Sequence, residues 1–248
     1  MLEVIGLSKT FGGLKAVQDA SLKVDRGEIV SLIGPNGAGK TTLFAMISGF
    51  LKPDSGSVRY GGRDLVGMKP HEICLIGVVR TFQVVQPFAN LSVRENIAVG
   101  AHARIRSRAD ALGRAAEIGR RLGMGKMLDQ PAGALTVAGR KRLELARALA
   151  TGPDLLLLDE VMAGLTPTEV SEVVNLVRGI QEAGTTILLI EHVMQAVMSL
   201  SDRTYVLNQG RMIAEGTPKS ITCTPEVIEA YLGHGAAARI AAQGGGGA

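Results

Sequence analysis

Gly34-Pro35-Asn36-Gly37-Ala38-Gly39-Lys40-Thr41 is the stretch on which the reading of this chain turns. It follows a largely apolar run, Glu28–Ile33, and precedes Thr41–Ser48, which has helical character. Glycine, four residues, then Gly-Lys-Thr is the pattern of a loop that wraps phosphate. Successive backbone N–H groups must point inward around an anion, and glycine permits both the tight path and the close approach. Asn36, Gly37, Ala38 and Gly39 supply that cradle. Lys40 sets a compact positive charge on the outer phosphates, and the Thr41 hydroxyl is placed to ligate Mg²⁺. Thr42 follows on the same helix, whose N-terminal dipole adds to the attraction.

A phosphate loop needs an acidic half on another strand. Leu155-Leu156-Leu157-Leu158-Asp159-Glu160 is an apolar run of strand length ending in two carboxylates. Asp159 is placed to hold Mg²⁺, directly or through water. Glu160, at the strand tip, is placed to take a proton from the water that attacks a γ-phosphate. Alone, such a strand says little. Behind a phosphate loop it completes a site for ATP and Mg²⁺.

Outward from these two motifs, Leu2–Leu7, Ala20–Val24 and Val58–Tyr60 have strand character, broken by Gly12-Gly13 and Gly61-Gly62. Pro70–Gly77 predicts a short helix, and from Ser92 to Ala150 the pattern is helical and rich in Arg and Ala. Thr185–Ile190 is a further buried strand. Before it, Val170, Val173, Val174, Val177 and Ile180 recur at helical spacing within Thr168–Ala183. Tyr205–Leu207 and Arg211–Glu215 flank Asn208-Gln209-Gly210, a hairpin signal, and Glu226–Leu232 closes as a helix. Apolar strands alternating with helices predict an α/β fold with a parallel sheet covered on both faces. The block from about 86 to 150 interrupts the alternation as an inserted helical subdomain. One domain over 1–234 and a flexible Gly/Ala-rich tail over 235–248 are expected.

Composition narrows the classes. At 248 residues, with 46% hydrophobic and 20% charged residues, the chain supports a full-sized core. No apolar run approaches the roughly 18 residues of a membrane span, and Met1-Leu2-Glu3-Val4 predicts no secretory signal. Cys74 and Cys223 are far apart and read as two reduced thiols of a cytosolic protein. The net charge of +4 does not argue for nucleic acid. Between His102 and Lys126, however, seven basic residues stand against Asp110 and Glu117. That segment reads either as a solvated helical face or as a surface near anionic lipid headgroups.

With both motifs in place, the chain resembles the ATP-binding cassette (ABC) family over about residues 1–233. The resemblance implies a phosphate-loop nucleoside triphosphatase with a RecA-like core, an N-terminal antiparallel β subdomain and the helical insertion. Phe11, which as a lone Phe would more often be core, stands where the family stacks a ring on adenine. Gln83, in Arg80-Thr81-Phe82-Gln83, matches the glutamine that meets Mg²⁺ and the attacking water and couples them to a membrane subunit. His192, in Ile190-Glu191-His192, matches the histidine that contacts the γ-phosphate. Leu135-Thr136-Val137-Ala138-Gly139 occupies the position of the Leu-Ser-Gly-Gly-Gln signature, which clamps the γ-phosphate held by a second cassette. Thr136 retains the hydroxyl, and Ala138 takes a glycine's place near the phosphate. Thr166 stands where the family often has an aspartate, so the usual carboxylate link between sites is not expected.

The ending Glu215-Gly216-Thr217-Pro218, the Val-Arg-Thr-Phe-Gln segment and the variant signature resemble ATPases of branched-chain amino acid, amide or urea importers. The resemblance implies an ATP-hydrolysing subunit on the cytoplasmic face of the inner membrane. Its partners would be integral permease subunits, a second cassette and, indirectly, a substrate-binding protein, with no nucleic acid. The alternatives are a soluble ABC switch acting on nucleic acid or ribosomes, and a lipid or lipopolysaccharide extractor.

Overall fold

The computed structural model describes residues 1–82 and 86–232. A hairpin of β1 (Leu2–Phe11) and β2 (Leu14–Val24) leads into β3 (Ile29–Ile33), α1 (Lys40–Ile47), β4 (Ser55–Tyr60), β5 (Arg63–Asp64), α2 (Pro70–Leu75) and β6 (Val78–Arg80). Helices α3 (Val93–Ala101), α4 (Arg108–Arg121) and α5 (Val137–Ala150) follow with no strand between them. Next come β7 (Leu155–Asp159), α6 (Pro167–Glu182), β8 (Thr186–Ile190) and α7 (Met194–Leu200). The described chain closes with β9 (Arg203–Asn208), β10 (Arg211–Gly216), α8 (Pro218–Thr222) and α9 (Pro225–Leu232).

Two sheets result. One is antiparallel, in the order β2-β1-β4-β5; the other runs β10-β9-β3-β8-β7-β6. It is parallel from β9 to β6, with β10 antiparallel on its edge. Every residue of β3, β7 and β8 is buried, which is why these strands read as unbroken apolar runs. Asp159 pairs with Ile190, so β7 and β8 end side by side at the carboxyl edge where α/β sheets take ligands. Helix starts follow local chemistry. Ser92 with Glu95 and Thr166 with Glu169 form capping boxes, and Pro167 occupies the first turn of α6.

The β9–β10 hairpin turns at Gln209 (φ 46°) and Gly210 (φ 80°), as expected from Asn208-Gln209-Gly210. Strands β1 and β2 run longer than the sequence reading, through several register shifts. Helices α3, α4 and α5 pack through small side chains such as Ala101, Ala111, Ala115 and Ala146. Within the basic segment, four of the seven cations have partners among the described residues, two of them in exposed surface pairs. Arg104 donates to the carbonyls of Thr151 and Leu75, and Arg121 donates to that of Gly179. Arg108 and Arg114 pair with Glu95 and Glu117.

Candidate nucleotide site

The loop between β3 and α1 forms the floor of a cleft of about 690 Å³. The cleft is lined by Asn36 to Thr42, by Phe11 from β1, by Glu160 and by the Gln209-Gly210 turn. Gly39 caps α1 at φ 105°, and a Cβ there would collide with the Ala16 carbonyl oxygen. A Cβ on Gly34 would collide with the Leu207 carbonyl. The Gly210 amide donates to the Ala38 carbonyl at 2.9 Å, and the Gln18 amide donates to Gly210 at 2.7 Å. The loop is thus fastened to both sheets.

Lys40 is buried, and its Nζ donates to the carbonyls of Gly34 (2.7 Å) and Pro35 (3.0 Å). Burial pushes its pKa down, while the nearby carboxylates of Glu160 and Asp159 oppose that shift. Its Nζ is thus held on two loop carbonyls beside the cleft.

Asp159 is 1% exposed. Its Oδ2 accepts from Arg80 Nη2 at 2.7 Å, and its amide donates to Thr81 Oγ1 at 3.1 Å. Its other oxygen, Oδ1, is buried without a hydrogen-bond partner among the described residues. A buried carboxylate oxygen left open, next to Glu160 and the cleft that Thr41 lines, fits a hard divalent cation completed by phosphate oxygens and water.

Glu160 turns the chain at φ 49°, a conformation that costs a side-chain-bearing residue on the order of 1 kcal/mol or more. Its amide donates to the Ile190 carbonyl at 3.0 Å, and its carbonyl accepts from Lys141 Nζ at 3.1 Å. These bonds bring the carboxylate Oε1 to 4.0 Å from His192 Nδ1. Beneath them Glu191 is fully buried and accepts from the Met162 amide at 2.9 Å. Burial pushes its carboxyl pKa up, against the lowering effect of that hydrogen bond.

The structure thus gathers Phe11, Asn36, Gly37, Ala38, Gly39, Lys40, Thr41, Thr42 and Glu160 around one cleft. Asp159 ends β7 next to Glu160, and His192 lies beside Glu160. Phe11 is 46% exposed on the rim, with Lys9 Nζ 5.7 Å from its ring, rather than in the core. Thr136 and Ala138 stand apart, at the start of α5 on the inserted helices. There Thr136 caps α5 by accepting from the Gly139 amide at 3.2 Å. Gln83 lies outside the described residues. Sequence reasoning missed Lys141, the Gln209-Gly210 contact and, above all, Arg80. The signal for Arg80 was a lone charge ending an apolar Val78-Val79 pair.

A phosphate loop behind one central parallel strand and an acid pair at the end of another define a nucleotide-hydrolysing α/β protein. Residues 17–163 match the family described as ABC transporter, and residues 211–237 match the family described as branched-chain amino acid ATP-binding cassette transporter. The high-affinity branched-chain amino acid transport ATP-binding protein BraF of Pseudomonas aeruginosa is 41% identical, over 94% of this chain and 98% of its own. The corresponding LivG protein of Escherichia coli is 43% identical over the same shares. A nucleotide-free ATP-binding cassette from an ABC transporter superimposes with a TM-score of 0.86 at 33% identity, covering 93% of this chain and 98% of that one. The ADP conformation of an ATP-binding cassette of an ABC transporter gives the same score and identity, over 94% and 99%. The chain belongs to the ABC transporter family of ATP-binding cassettes. It binds ATP and hydrolyses it.

Proposed function

We propose that this cassette powers an importer of branched-chain amino acids or related small polar solutes. The observation that carries the reading is the match of residues 211–237 to the branched-chain amino acid cassette family, separate from the general cassette match. The relatives named for that transport align over 98% of their own length, in support. The cassette would work as one of a pair on the cytoplasmic face of the inner membrane, docked on integral permease subunits that receive solute from a binding protein. Residues 1–234 form the cassette, with helices inserted at about 86–150 and a tail over 235–248.

Phe11 stacks on adenine, the Asn36–Thr42 amides and Lys40 hold the phosphates, and Thr41, Asp159 and Gln83 hold Mg²⁺. The ion, when bound, neutralises charge developing on the β- and γ-phosphate oxygens. Glu160 accepts the proton of the attacking water, and His192 meets the γ-phosphate. The left-handed turn at Glu160 and its amide bond to Ile190 fix the backbone from which the side chain lines the cleft. Thr136 and Ala138, remote from the chain's own cleft, serve the nucleotide of the second cassette.

Glu160→Gln tests the whole reading. ATP binding should persist while turnover falls by about 10²–10⁴-fold. In cells carrying this variant as the sole copy, uptake of radiolabelled leucine and its relatives should be lost. The variant, trapped with ATP and Mg²⁺, should be recovered from membranes with multi-spanning subunits. Recovery with ribosomes, nucleic acid or a lipid-extracting complex instead would overturn the importer role and leave the ATPase chemistry standing.

A further inference from the structure

Arg80 ends β6 with its side chain only 9% exposed, between two clefts. Toward the nucleotide site its Nη2 holds Asp159 Oδ2 at 2.7 Å. Away from it, the same side chain lines a second cleft of about 380 Å³ together with Phe82, Glu144 and Arg147. Nη1 reaches Ser48 Oγ at 3.4 Å, and the guanidinium lies 5.9 Å from the ring centres of both Phe44 and Phe82. Its Nε is buried without a hydrogen-bond partner among the described residues. A five-donor group has been buried chiefly for the sake of one carboxylate oxygen, and that carboxylate keeps its second oxygen, Oδ1, open. Neither half is saturated, which is unusual for a buried ion pair kept only for structure.

We propose that Arg80 is the stand-in cation of the Asp159 site. It neutralises the buried carboxylate while no metal is present, and it fixes the rotamer so that Oδ1 stays open for the ion that arrives with nucleotide. The inference rests on the reading of Thr41 and Asp159 as Mg²⁺ ligands. Its physical basis is the desolvation cost of a carboxylate that is 1% exposed, which a positive charge in direct contact offsets. The Arg80 guanidinium supplies that charge through one directional contact, Nη2 on Oδ2, which leaves Oδ1 free. The nucleotide-free cassette then has no need of a metal, and Mg²⁺ enters as part of the ATP complex rather than ahead of it. Because the same guanidinium stacks on Phe82 and lines the second cleft, a change in its hold on Asp159 is felt at both places.

The test is thermal melting of the full chain in EDTA and in saturating MgCl₂, each with and without ADP. Wild type should not respond to Mg²⁺ alone and should melt higher with Mg²⁺ and ADP than with ADP in EDTA. Arg80→Gln should melt roughly 5–10 °C below wild type in EDTA and regain about 3 °C or more from Mg²⁺ alone, because the metal now supplies the missing charge. The double variant R80Q/D159N, which has no carboxylate to neutralise, should show no response to Mg²⁺ alone. If Arg80→Gln does not fold, Arg80→Met, which keeps an apolar stem of similar reach and removes the charge, is read by the same criterion. A variant that gains no more from Mg²⁺ alone than wild type overturns the inference. A wild type whose ADP complex ignores Mg²⁺ overturns the metal reading beneath it.

Discussion

Two helix N-termini in this molecule stand where the cassette family keeps its phosphate loop and its signature, and they are built differently. Helix α1 starts from Gly39 inside the 690 Å³ cleft, with backbone from β2 and from the β9–β10 turn pressed against its loop. Helix α5 starts from Thr136 on the inserted helices, and its first residue, Val137, is 60% exposed. The first terminus is surrounded by its own chain, so Gly34 and Gly39 answer to steric demands already visible. The second meets no such crowding at Val137, and it carries Val137, Ala138 and Gly139 where the family signature has Gly-Gly-Gln. A motif is strict where its own fold enforces it; elsewhere its requirements belong to whatever surface it meets.

The sharpest way to break that contrast is Lys40→Ala. If α1 and its loop are a complete phosphate site, removing the buried ammonium should lower ATP turnover by about 10²–10³-fold, measured as phosphate release. A drop of less than tenfold would mean that the site's electrostatics come from elsewhere. Gly39→Ala comes next: a side chain forced to φ 105° against the Ala16 carbonyl should lower the melting temperature by roughly 5–10 °C. The matching change at the other terminus should do less to the isolated chain. Thr136→Ala loses a helix cap, worth about 1 kcal/mol or roughly 2–4 °C, but should prevent ATP-driven dimerisation in the Glu160→Gln background. Thr136→Ser should keep both, and a Thr136→Ala variant that still dimerises would remove α5 from the second nucleotide site.

The smallest effect belongs to neither terminus and serves as a control on burial alone. Burial raises the Glu191 carboxyl above 4.5, so the native state favours its protonated form. The associated stability is present below pH 4.5 and is lost as pH rises through the raised native value. Glu191→Gln, which does not titrate and keeps an acceptor for the Met162 amide, should gain on wild type from pH 4.5 upward. Melting curves from acid to neutral pH should diverge by about 1–3 °C. Parallel curves would mean that Glu191 does not change its protonation there.

What was legible in the sequence follows the same division. Gly34 to Thr41, Asp159 and Glu160 stood out because phosphate chemistry demands those residue types at that spacing. The central strands stood out because strands buried on both faces read as unbroken apolar runs. Strand β6 was not legible: three residues, Val78–Arg80, are too few for any period to register. Strands β1 and β2 were read short because register shifts between Val4 and Lys9, with Gly6 at φ 60°, break the alternation. Arg80 escaped as a site residue because its meaning lies in a partner 79 positions away. The arginines between 102 and 126 looked like one charged surface. Yet Arg104 and Arg121 end on backbone carbonyls of distant elements, which composition does not reveal.

The stitching of the phosphate loop to both sheets has a mechanical consequence. Phe11 belongs to the antiparallel sheet, while Lys40 follows a strand of the parallel one, and each sheet has its own hydrogen-bond ladder. Apart from packing, the links between them at the cleft are few, such as the amide of Gln18 on Gly210 and the Gln18 side chain on the Gln209 carbonyl. A nucleotide gripped by base on one side and phosphates on the other would act as a tie rod across that seam. Part of its binding free energy would then be expressed as cooperativity, merging two partly separable melting units into one and narrowing the calorimetric transition as well as raising its midpoint.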